Sequence, residues 1–374
     1  LSARGEEVDM VCLPGGRERS YDGVTIHRVR GPSFIHDIPP GFSLRKVVAD
    51  VLVFMEAYRL IRSRSFDIVH AGEESVYMAR VFKALFGLPY VYDMDSSLAQ
   101  QMVEQMPWLR PLAPLFDWME GKAIAGARAV APVCNALADL AAPHAQGPVV
   151  ILHDISQLPD PGRQATGLLQ ERWGIRRPAL LYAGNLAPYQ GVDLLLDAFA
   201  LAVKDGSQVD LVVVGGTDAE REAYGRKAEG LDIRSRTHFV GTWPADRIGE
   251  ILAEAQILTA PRIRGLNTPM KVFPYLHSGK PVLVTDLPTH SQILDSTVAM
   301  LAPPEPEGFA GAILELERDP DLRQRLGKAG REFVEANHTF QAHQKRVDRL
   351  YDGLQRAAEV GPGRPGTASP TAST

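Results

Sequence analysis

The segment 257–290 constrains the fold most, because it contains a complete strand, loop, helix and strand. Runs of apolar residues predict short buried strands at 257–260 and 281–285. Between them, a polar loop with two arginines precedes apolar residues at helical spacing, and Gly279 ends the predicted helix. Strands that alternate with helices in this way are typical of a parallel α/β sheet.

The start of this helix is the first candidate for a binding site. Thr268 suits the N-cap position and Pro269 suits the first helical turn, so Lys271 would lie at the helix N-terminus. In a parallel sheet, that N-terminus lies at the carboxyl end of the strands. Free backbone N–H groups and the helix dipole favour anions there.

The same residues carry a resemblance to a known family. The segment resembles the donor-site signature of glycosyltransferase family 4, the retaining enzymes of GT-B fold, in which many members read Pro-x-Lys-x-x-Glu-Tyr-x-x-x-Gly-x-Pro-Val. This chain matches the signature at Pro269, Lys271, Tyr275, Gly279, Pro281 and Val282. The family often carries two glutamates eight positions apart, where this chain has Leu266 and Pro274. The second glutamate holds the nucleotide ribose in the family, so that contact is missing or replaced.

A glycine-containing loop, 184–191, is the second part of the resemblance. The family has basic residues here that neutralise the donor diphosphate, whereas this chain has Asn185 and Gln190. The resemblance therefore implies that Lys271, with Arg262 or Arg264, supplies the positive charge. The predicted donor-binding residues are Gly184, Asn185, Gln190, Gly191, Arg262, Arg264, Gly265, Asn267, Thr268 and Tyr275.

The whole chain shows two successive arrays of alternating strands and helices, joined by a proline-containing linker. This pattern predicts an α/β protein with two doubly wound, Rossmann-like domains. The GT-B resemblance implies that they face a cleft. The predicted domains are an acceptor-side domain (1–155), a donor domain (167–339), a last helix (340–357) that packs back on the first domain, and a disordered tail (361–374).

The first residues predict a fragment of a helix. Leu1–Gly5 has the pattern of a last helical turn with Gly5 as its C-terminal stop, and one turn cannot stand alone. We therefore expect the first strand and most of the first helix to be missing upstream. Val149–Leu152 is predicted to close the first half of the chain.

Polar residues follow two predicted strands of the first domain, 66–70 and 89–93. Open α/β sheets place ligands at such strand ends. Glu73 and Asp93 are candidate catalytic residues beside Lys271, and the candidate acceptor-side residues are His70, Glu74 and Asp95. The alternative for Glu73 and Glu74 is a pair of charges favoured by a helix N-terminus.

No metal or other cofactor is predicted. Asp93 and Asp95 resemble the Asp-x-Asp metal motif of the other glycosyltransferase fold, but the surrounding pattern is of the GT-B type, which resembles a metal-independent arrangement. Contacts between these carboxylates and acceptor hydroxyls fit the pattern better. Cys12 and Cys134 suit small buried residues rather than a disulfide framework.

Charge and hydropathy restrict the partners. A net charge of −5 gives no general attraction to nucleic acid, and no apolar run is long enough to cross a bilayer. The expected location is the cytoplasm, with peripheral contact to the inner face of the plasma membrane as an option. The basic amphipathic helix 44–64 would supply that contact, although a core helix with a solvated face explains it better.

The resemblance implies a retaining glycosyltransferase. Its donor would be a nucleotide-sugar, and its acceptor a glycan, a lipid-linked sugar or a small molecule. Two alternatives remain open from the sequence. The replaced residues at Leu266, Pro274, Asn185 and Gln190 also fit a non-catalytic relative that serves as a binding module or partner subunit. A nucleotide-sugar epimerase shares the GT-B architecture.

Overall fold

The computed structural model describes residues 1–15, 19–31 and 44–359. Within it the chain forms two compact units. The first comprises residues 1–131, 141–150 and the chain from 344 onward, and the second comprises residues 132–140 and 151–343. The predicted disordered tail, 361–374, lies outside the described residues.

Strands and helices alternate along both units. The strands are β1 (Val8–Cys12), β2 (Val24–Arg28), β3 (Val69–Gly72), β4 (Tyr90–Met94), β5 (Ala129–Pro132), β6 (Ala179–Ala183), β7 (Asp210–Val214), β8 (Thr237–Gly241), β9 (Ala255–Ala260), β10 (Val282–Thr285) and β11 (Met300–Ala302). The helices are α1 (Leu44–Ser63), α2 (Ser75–Phe86), α3 (Leu98–Gln105), α4 (Ala113–Gly126), α5 (Asn135–Ala141), α6 (Leu168–Trp173), α7 (Val192–Lys204), α8 (Asp218–Gly230), α9 (Ile248–Ala253), α10 (Val272–His277), α11 (Pro288–Ser291), α12 (Pro306–Arg318), α13 (Pro320–Asn337) and α14 (Phe340–Glu359).

The first unit contains a parallel pair, β1 and β2, and a three-stranded sheet of order β3-β4-β5. The central strand β4 is buried along most of its length, and Tyr90, Tyr92 and Met94 are fully enclosed. Helix α14 adds Leu350 and Tyr351 to the buried residues of this unit. Helix α14, the last long helix of the described residues, therefore contributes to the core of the first unit.

The second unit is built on a six-stranded sheet of order β11-β10-β9-β6-β7-β8, and all its pairs are parallel. Strand β6 is buried at every position, as expected when helices cover both faces of a parallel sheet. Leu180 packs in one hydrophobic cluster with Phe199 of α7, whereas Leu181 packs in a second cluster with Val272 of α10. The predicted doubly wound α/β fold is confirmed for this sheet.

Two local predictions differ from the structure. The predicted strand 66–70 lies later, at Val69–Gly72, because pairing to β4 begins only at Val69. The segment Val149–Leu152 lies beside β5, where Val149 and Val130 form an isolated bridge. At the chain start, Gly5 does end a helical turn with a left-handed φ of 85°, but the turn Ser2–Arg4 is 3-10 rather than α.

The predicted N-cap at Thr268 is also wrong. Helix α10 begins at Val272, with Lys271 at the cap position, after a turn at 270–271. The Thr268 side chain is buried, and its hydroxyl accepts a hydrogen bond from Gln292 at 3.3 Å instead of capping the helix. In the described part of the chain, no helix is long and apolar enough to span a bilayer.

Candidate functional site

The candidate donor site lies where the strand order of the second sheet reverses. Strands β6, β7 and β8 run outward on one side, and β9, β10 and β11 on the other, so β6 and β9 are the two neighbours at the reversal. Open α/β sheets bind ligands beyond the carboxyl ends of such strands. The loop 184–191 follows β6, and the loop 261–271 follows β9.

Lys271 is the centre of this site. Its ammonium group donates to the Tyr182 hydroxyl at 2.8 Å and to Gln190 Oε1 at 2.9 Å, and it lies 4.2 Å from the centre of the Tyr182 ring. Among the described residues, no carboxylate lies within ion-pair distance of Lys271. One of its three N–H donors therefore remains for a ligand.

The electrostatics at Lys271 favour an incoming anion. Burial and the nearby Arg262 guanidinium lower the pKa of Lys271 to about 7. Burial also raises the pKa of Tyr182 far above its usual range, so the phenol keeps its proton. That proton goes to the carbonyl of Asn185 at 2.5 Å, which leaves the Tyr182 oxygen to accept from Lys271. An anion beside Lys271 would favour its charged form.

Glycines bring the backbone close to this lysine. A Cβ at Gly184 would collide with the Lys271 ammonium group, so a side chain there would displace the end of this lysine. Gly191 has a φ of 74°, and a Cβ there would collide with the carbonyl of Pro261. At Gly191 the two loops after β6 and β9 therefore touch through a position that excludes a side chain.

Arg262 organises the loop after β9. Its guanidinium donates to the Arg264 carbonyl at 2.6 Å and to Asn267 Oδ1 at 2.9 Å, and it lies 5.3 Å from the centre of the Tyr189 ring. Gly265, with a φ of 112°, leaves room for this guanidinium. The side chain of Arg264 is exposed, so it is the arginine that faces solvent.

Three side chains that the sequence reasoning missed hold this loop in place. Thr285 donates to the Arg262 carbonyl at 2.5 Å, and Thr289 donates to the Asn267 carbonyl at 2.8 Å. Gln292 donates to the Leu266 carbonyl at 2.7 Å and accepts from the Ala136 N–H at 3.1 Å. They lie beyond the signature in sequence, and only the pairing of β9 with β10 brings them to the loop.

The other predicted donor-site residues have different surroundings. Tyr275 is fully buried, and its hydroxyl bonds the N–H and the carbonyl of Ala183 at 2.6 and 2.9 Å. Its contacts therefore hold the end of β6 in place. Asn185 is exposed, and its side-chain oxygen accepts from the N–H of Ala187 at 3.3 Å. Gln190 is buried and accepts a hydrogen bond from Lys271.

A second polar cluster lies in the first unit. His70 Nε2 lies 3.0 Å from Asp93 Oδ2, and His70 Nδ1 lies 2.8 Å from the Tyr351 hydroxyl of α14. The His70 and Tyr351 rings are stacked, with their centres 6.2 Å apart. The structure therefore joins two predicted residues to Tyr351, which no local pattern in the sequence indicates.

Glu73 and Glu74 follow β3. Glu73 has a left-handed φ of 46°, and burial together with Glu74 raises its pKa. Glu74 forms an ion pair with Lys46 of α1. Asp95 is exposed. Among the described residues, there is no group of three or more His, Cys, Asp or Glu side chains that could hold a metal ion.

Two family models match this chain, one in each half of the sequence. Residues 170–333 match the family described as "Glycosyl transferases group 1", and residues 1–153 match the "Glycosyl transferase 4-like domain". The α-D-kanosaminyltransferase of Streptomyces kanamyceticus is 24% identical over 277 residues, which is 71% of either chain.

Solved structures share the fold at lower identity. Sucrose-phosphate synthase from Thermosynechococcus elongatus has a TM-score of 0.76 and 18% identity, with 95% of this chain and 90% of that one covered. HepE from Anabaena, solved in complex with UDP-glucose, has a TM-score of 0.70 and 13% identity, with coverage of 92% and 99%. These likenesses show a GT-B fold, and the two family matches lead to one conclusion: the chain is a glycosyltransferase-family protein with a glycosyl transferase 4-like domain at 1–153 and a group 1 domain at 170–333.

Proposed function

We propose that this protein transfers a sugar, with retention of its anomeric configuration, from a nucleotide-sugar to a glycan, a lipid-linked or a small-molecule acceptor. The observation that carries the proposal is Lys271, a partly buried lysine with no carboxylate partner among the described residues. Relatives named as sugar transferases, and the fold neighbour with UDP-glucose, support the choice of donor class.

The role of Lys271 follows from the charge that develops as the donor breaks. The leaving nucleoside diphosphate gains negative charge while the sugar becomes cationic at its anomeric carbon. An ammonium group held by Tyr182 and Gln190 is already positioned for a diphosphate oxygen, so little reorganisation is needed in the transition state. No protein nucleophile and no metal ion enters this proposal.

The cluster of the first unit is proposed to bind the acceptor. His70 and Asp93 offer hydrogen-bonding atoms at neighbouring strand ends, and Glu73 adds a partly buried carboxyl group whose pKa is raised. Such groups suit sugar hydroxyls, which both donate and accept hydrogen bonds. Tyr351 orients His70 in this proposal and does not touch the acceptor.

The experiment is titration of the full chain with a panel of nucleoside diphosphates, followed by incubation with the matching nucleotide-sugars and candidate acceptors. We expect binding of at least one nucleoside diphosphate, and Lys271→Met should weaken it at least about tenfold. Lys280 is the control, because it is also partly buried and burial also lowers its pKa. Lys280→Met should bind as the parent does, and equal binding by Lys271→Met would contradict the placement of the diphosphate.

A second candidate function is a non-catalytic binding subunit. Leu266 and Pro274 favour it, because the family often has glutamates there and one of them holds the ribose. A chain that binds no nucleotide, or binds one without transferring its sugar to any acceptor class, supports this candidate. Incubation with donor alone tests for an epimerase, which would change the sugar without an acceptor.

A further inference from the structure

Arg346, on helix α14, is a partly buried side chain in unusual surroundings. Among the described residues, its enclosed Nη1 atom has no hydrogen-bond partner, and no carboxylate lies within ion-pair distance of its guanidinium. Buried charges in proteins are normally paired, because removing a charge from water is costly. An arginine in such surroundings is therefore a candidate for binding an anion.

Other partly buried arginines show how this chain usually accommodates such a charge. The Arg236 side chain, which is 17% exposed, pairs with Asp210 at 2.6 Å. The Arg4 side chain pairs with Asp348, which is the acid nearest to Arg346 in sequence. Asp348 is thus engaged by another arginine, and residues two positions apart do not face each other on a helix. Within the described ranges, Arg346 therefore lacks the kind of partner that the other two arginines have.

Arg349 adds a second positive charge on the same side of α14. Residues three positions apart are neighbours on a helix surface, so the two guanidinium groups lie close together. Arg349 is exposed, and in the part of the chain that the structure describes it forms no ion pair. Burial and the charge of Arg349 lower the pKa of Arg346, whereas hydrogen bonds with Asp352 and Asp348 raise the pKa of Arg4. An anion between the two guanidinium groups would stabilise both.

We propose that Arg346 and Arg349 bind a phosphate group. Each guanidinium has a planar fork of N–H donors that matches the oxygen atoms of a phosphate. A phosphate monoester carries a charge of about −1.5 to −2 near pH 7, so it balances two guanidinium groups, whereas a carboxylate balances one. The guanidinium charge is delocalised, so the phosphate needs to contact only the accessible part of Arg346. Two sources have this chemistry, inorganic phosphate and a phosphorylated sugar.

The phosphate site lies on the same helix as part of the acceptor-side cluster. Arg346 precedes Tyr351 by five residues, a separation of about 7.5 Å along the helix and about 140° around it. Tyr351 contacts His70, so the phosphate site is separate from the group of residues around His70. A phosphorylated sugar as the ligand rests on the proposed function, whereas the site for a phosphate group does not.

The test measures binding of inorganic phosphate and of glucose 6-phosphate to the full chain by calorimetry at constant ionic strength, with glucose as the uncharged control. Arg346→Met should weaken binding of both phosphates at least about tenfold. Arg349→Met should weaken it at least about threefold, since Arg349 is exposed. Arg356→Met is the matched control, because Arg356 is exposed on the same helix and lies about 15 Å further along it. It should bind as the parent does.

The comparison of ligands identifies the source of the phosphate. Tighter binding of glucose 6-phosphate than of inorganic phosphate assigns the site to a phosphorylated sugar, and equal binding assigns it to inorganic phosphate. Lys271→Met should retain this binding, and Arg346→Met should retain the binding of nucleoside diphosphates. A failure at the donor site is therefore distinguishable from a failure at Arg346.

The melting temperature gives a second measurement, which a merely structural arginine would not reproduce. In phosphate-free buffer, Arg346→Met should melt at or above the temperature of the parent, because it removes an unpaired and partly buried charge. Phosphate should raise the melting temperature of the parent but not that of the variant. The proposal is overturned if neither phosphate binds, or if Arg346→Met binds both as well as the parent. It is also overturned if the variant melts well below the parent in phosphate-free buffer.

Discussion

At the scale of single residues, two predicted donor-site side chains, Gln190 and Tyr275, have hydrogen-bond partners within the protein. Gln190 stands where the family usually has a basic residue, and in the structure it holds Lys271 through a hydrogen bond of 2.9 Å. Tyr275 matches the family signature, yet its hydroxyl forms hydrogen bonds with the backbone of Ala183 in β6. Lys271 is the predicted residue whose surroundings most favour an anion.

The lowered pKa of Lys271 predicts proton uptake on ligand binding. At a pH above about 7 the free site is largely neutral, and a bound diphosphate favours the ammonium form. We therefore expect nucleoside diphosphate affinity to fall about tenfold between about pH 7.5 and about pH 9. Calorimetry in buffers of different ionisation enthalpy measures the uptake directly. Lys271→Met should bind weakly without this pH dependence, and the same uptake in that variant would assign the proton elsewhere.

His290 predicts a loss of stability in mild acid. It is completely buried, its Nδ1 lies 3.0 Å from the Thr285 carbonyl, and burial lowers its pKa to about 3. Below about pH 6.5, His290 is therefore protonated in the unfolded chain but not in the folded chain. The free energy of unfolding consequently falls as the pH falls.

The expected contribution of His290 is a loss of about 2 kcal/mol of unfolding free energy between about pH 6.5 and about pH 5. Urea unfolding at the two pH values measures it. The parent should lose more stability over this interval than His290→Gln does. Equal losses in the two proteins would mean that His290 is protonated in the folded state.

At the scale of elements, the donor site depends on close contact between the loops after β6 and β9. Gly191 ends the 3-10 turn Pro188–Gln190 in a left-handed conformation and lies against Pro261. Thr285, Thr289 and Gln292 hold the second loop from its other side through its carbonyl groups. The position of the loop is therefore set by packing and hydrogen bonds from three separate segments.

Gly191→Ala should lower the free energy of unfolding by more than the strain of a left-handed φ alone explains. The new methyl group would collide with the Pro261 carbonyl, so we expect a loss of about 3 kcal/mol and weaker nucleotide binding. Gly206 is the matched control, because its φ is 93° and nothing lies within 4 Å of an added Cβ. Gly206→Ala should cost about 1 kcal/mol by urea unfolding. Equal costs for the two variants would show that the loops can separate freely.

At the scale of the whole molecule, the two ends of the described chain meet in the first unit. Arg4 donates to Asp348 at 3.0 Å and to Asp352 at 2.7 Å, so a residue near the chain start binds helix α14. The Arg4 side chain is only 13% exposed. Tyr351, on the same helix, reaches His70 at the end of β3. The first unit is therefore completed by a helix that follows the second unit in sequence.

Arg4→Ala should lower the stability of the first unit by about 1–2 kcal/mol, because a partly buried guanidinium loses two charged partners. The melting temperature and its dependence on salt measure this effect. Arg226→Ala is the control, since its ion pair with Glu222 joins two exposed side chains on α8. That change should cost less than about 0.5 kcal/mol. A similar loss in both variants would mean that the contact with α14 adds no stability.

The sequence alone was enough to predict an α/β fold with parallel strands, because buried strands and amphipathic helices have different hydrophobic periods. The sequence also predicted Lys271 and Gly184 as site residues, since a motif of fixed spacing on a strand–loop–helix unit specifies local geometry. The N-cap at Thr268 was predicted wrongly, because α10 begins only at Val272 and the Thr268 hydroxyl accepts from Gln292 rather than from the helix.

The partners of each site residue were decided by the tertiary structure. Tyr182 and Gln190 reach Lys271, and Tyr351 reaches His70, across 89, 81 and 281 residues of chain respectively. Such contacts depend on strand order and on where a distant helix packs, and no local pattern of residues encodes either. Burial, and with it the lowered pKa of Lys271, is likewise a property of the assembled sheet and its loops, because only neighbours in space can exclude water.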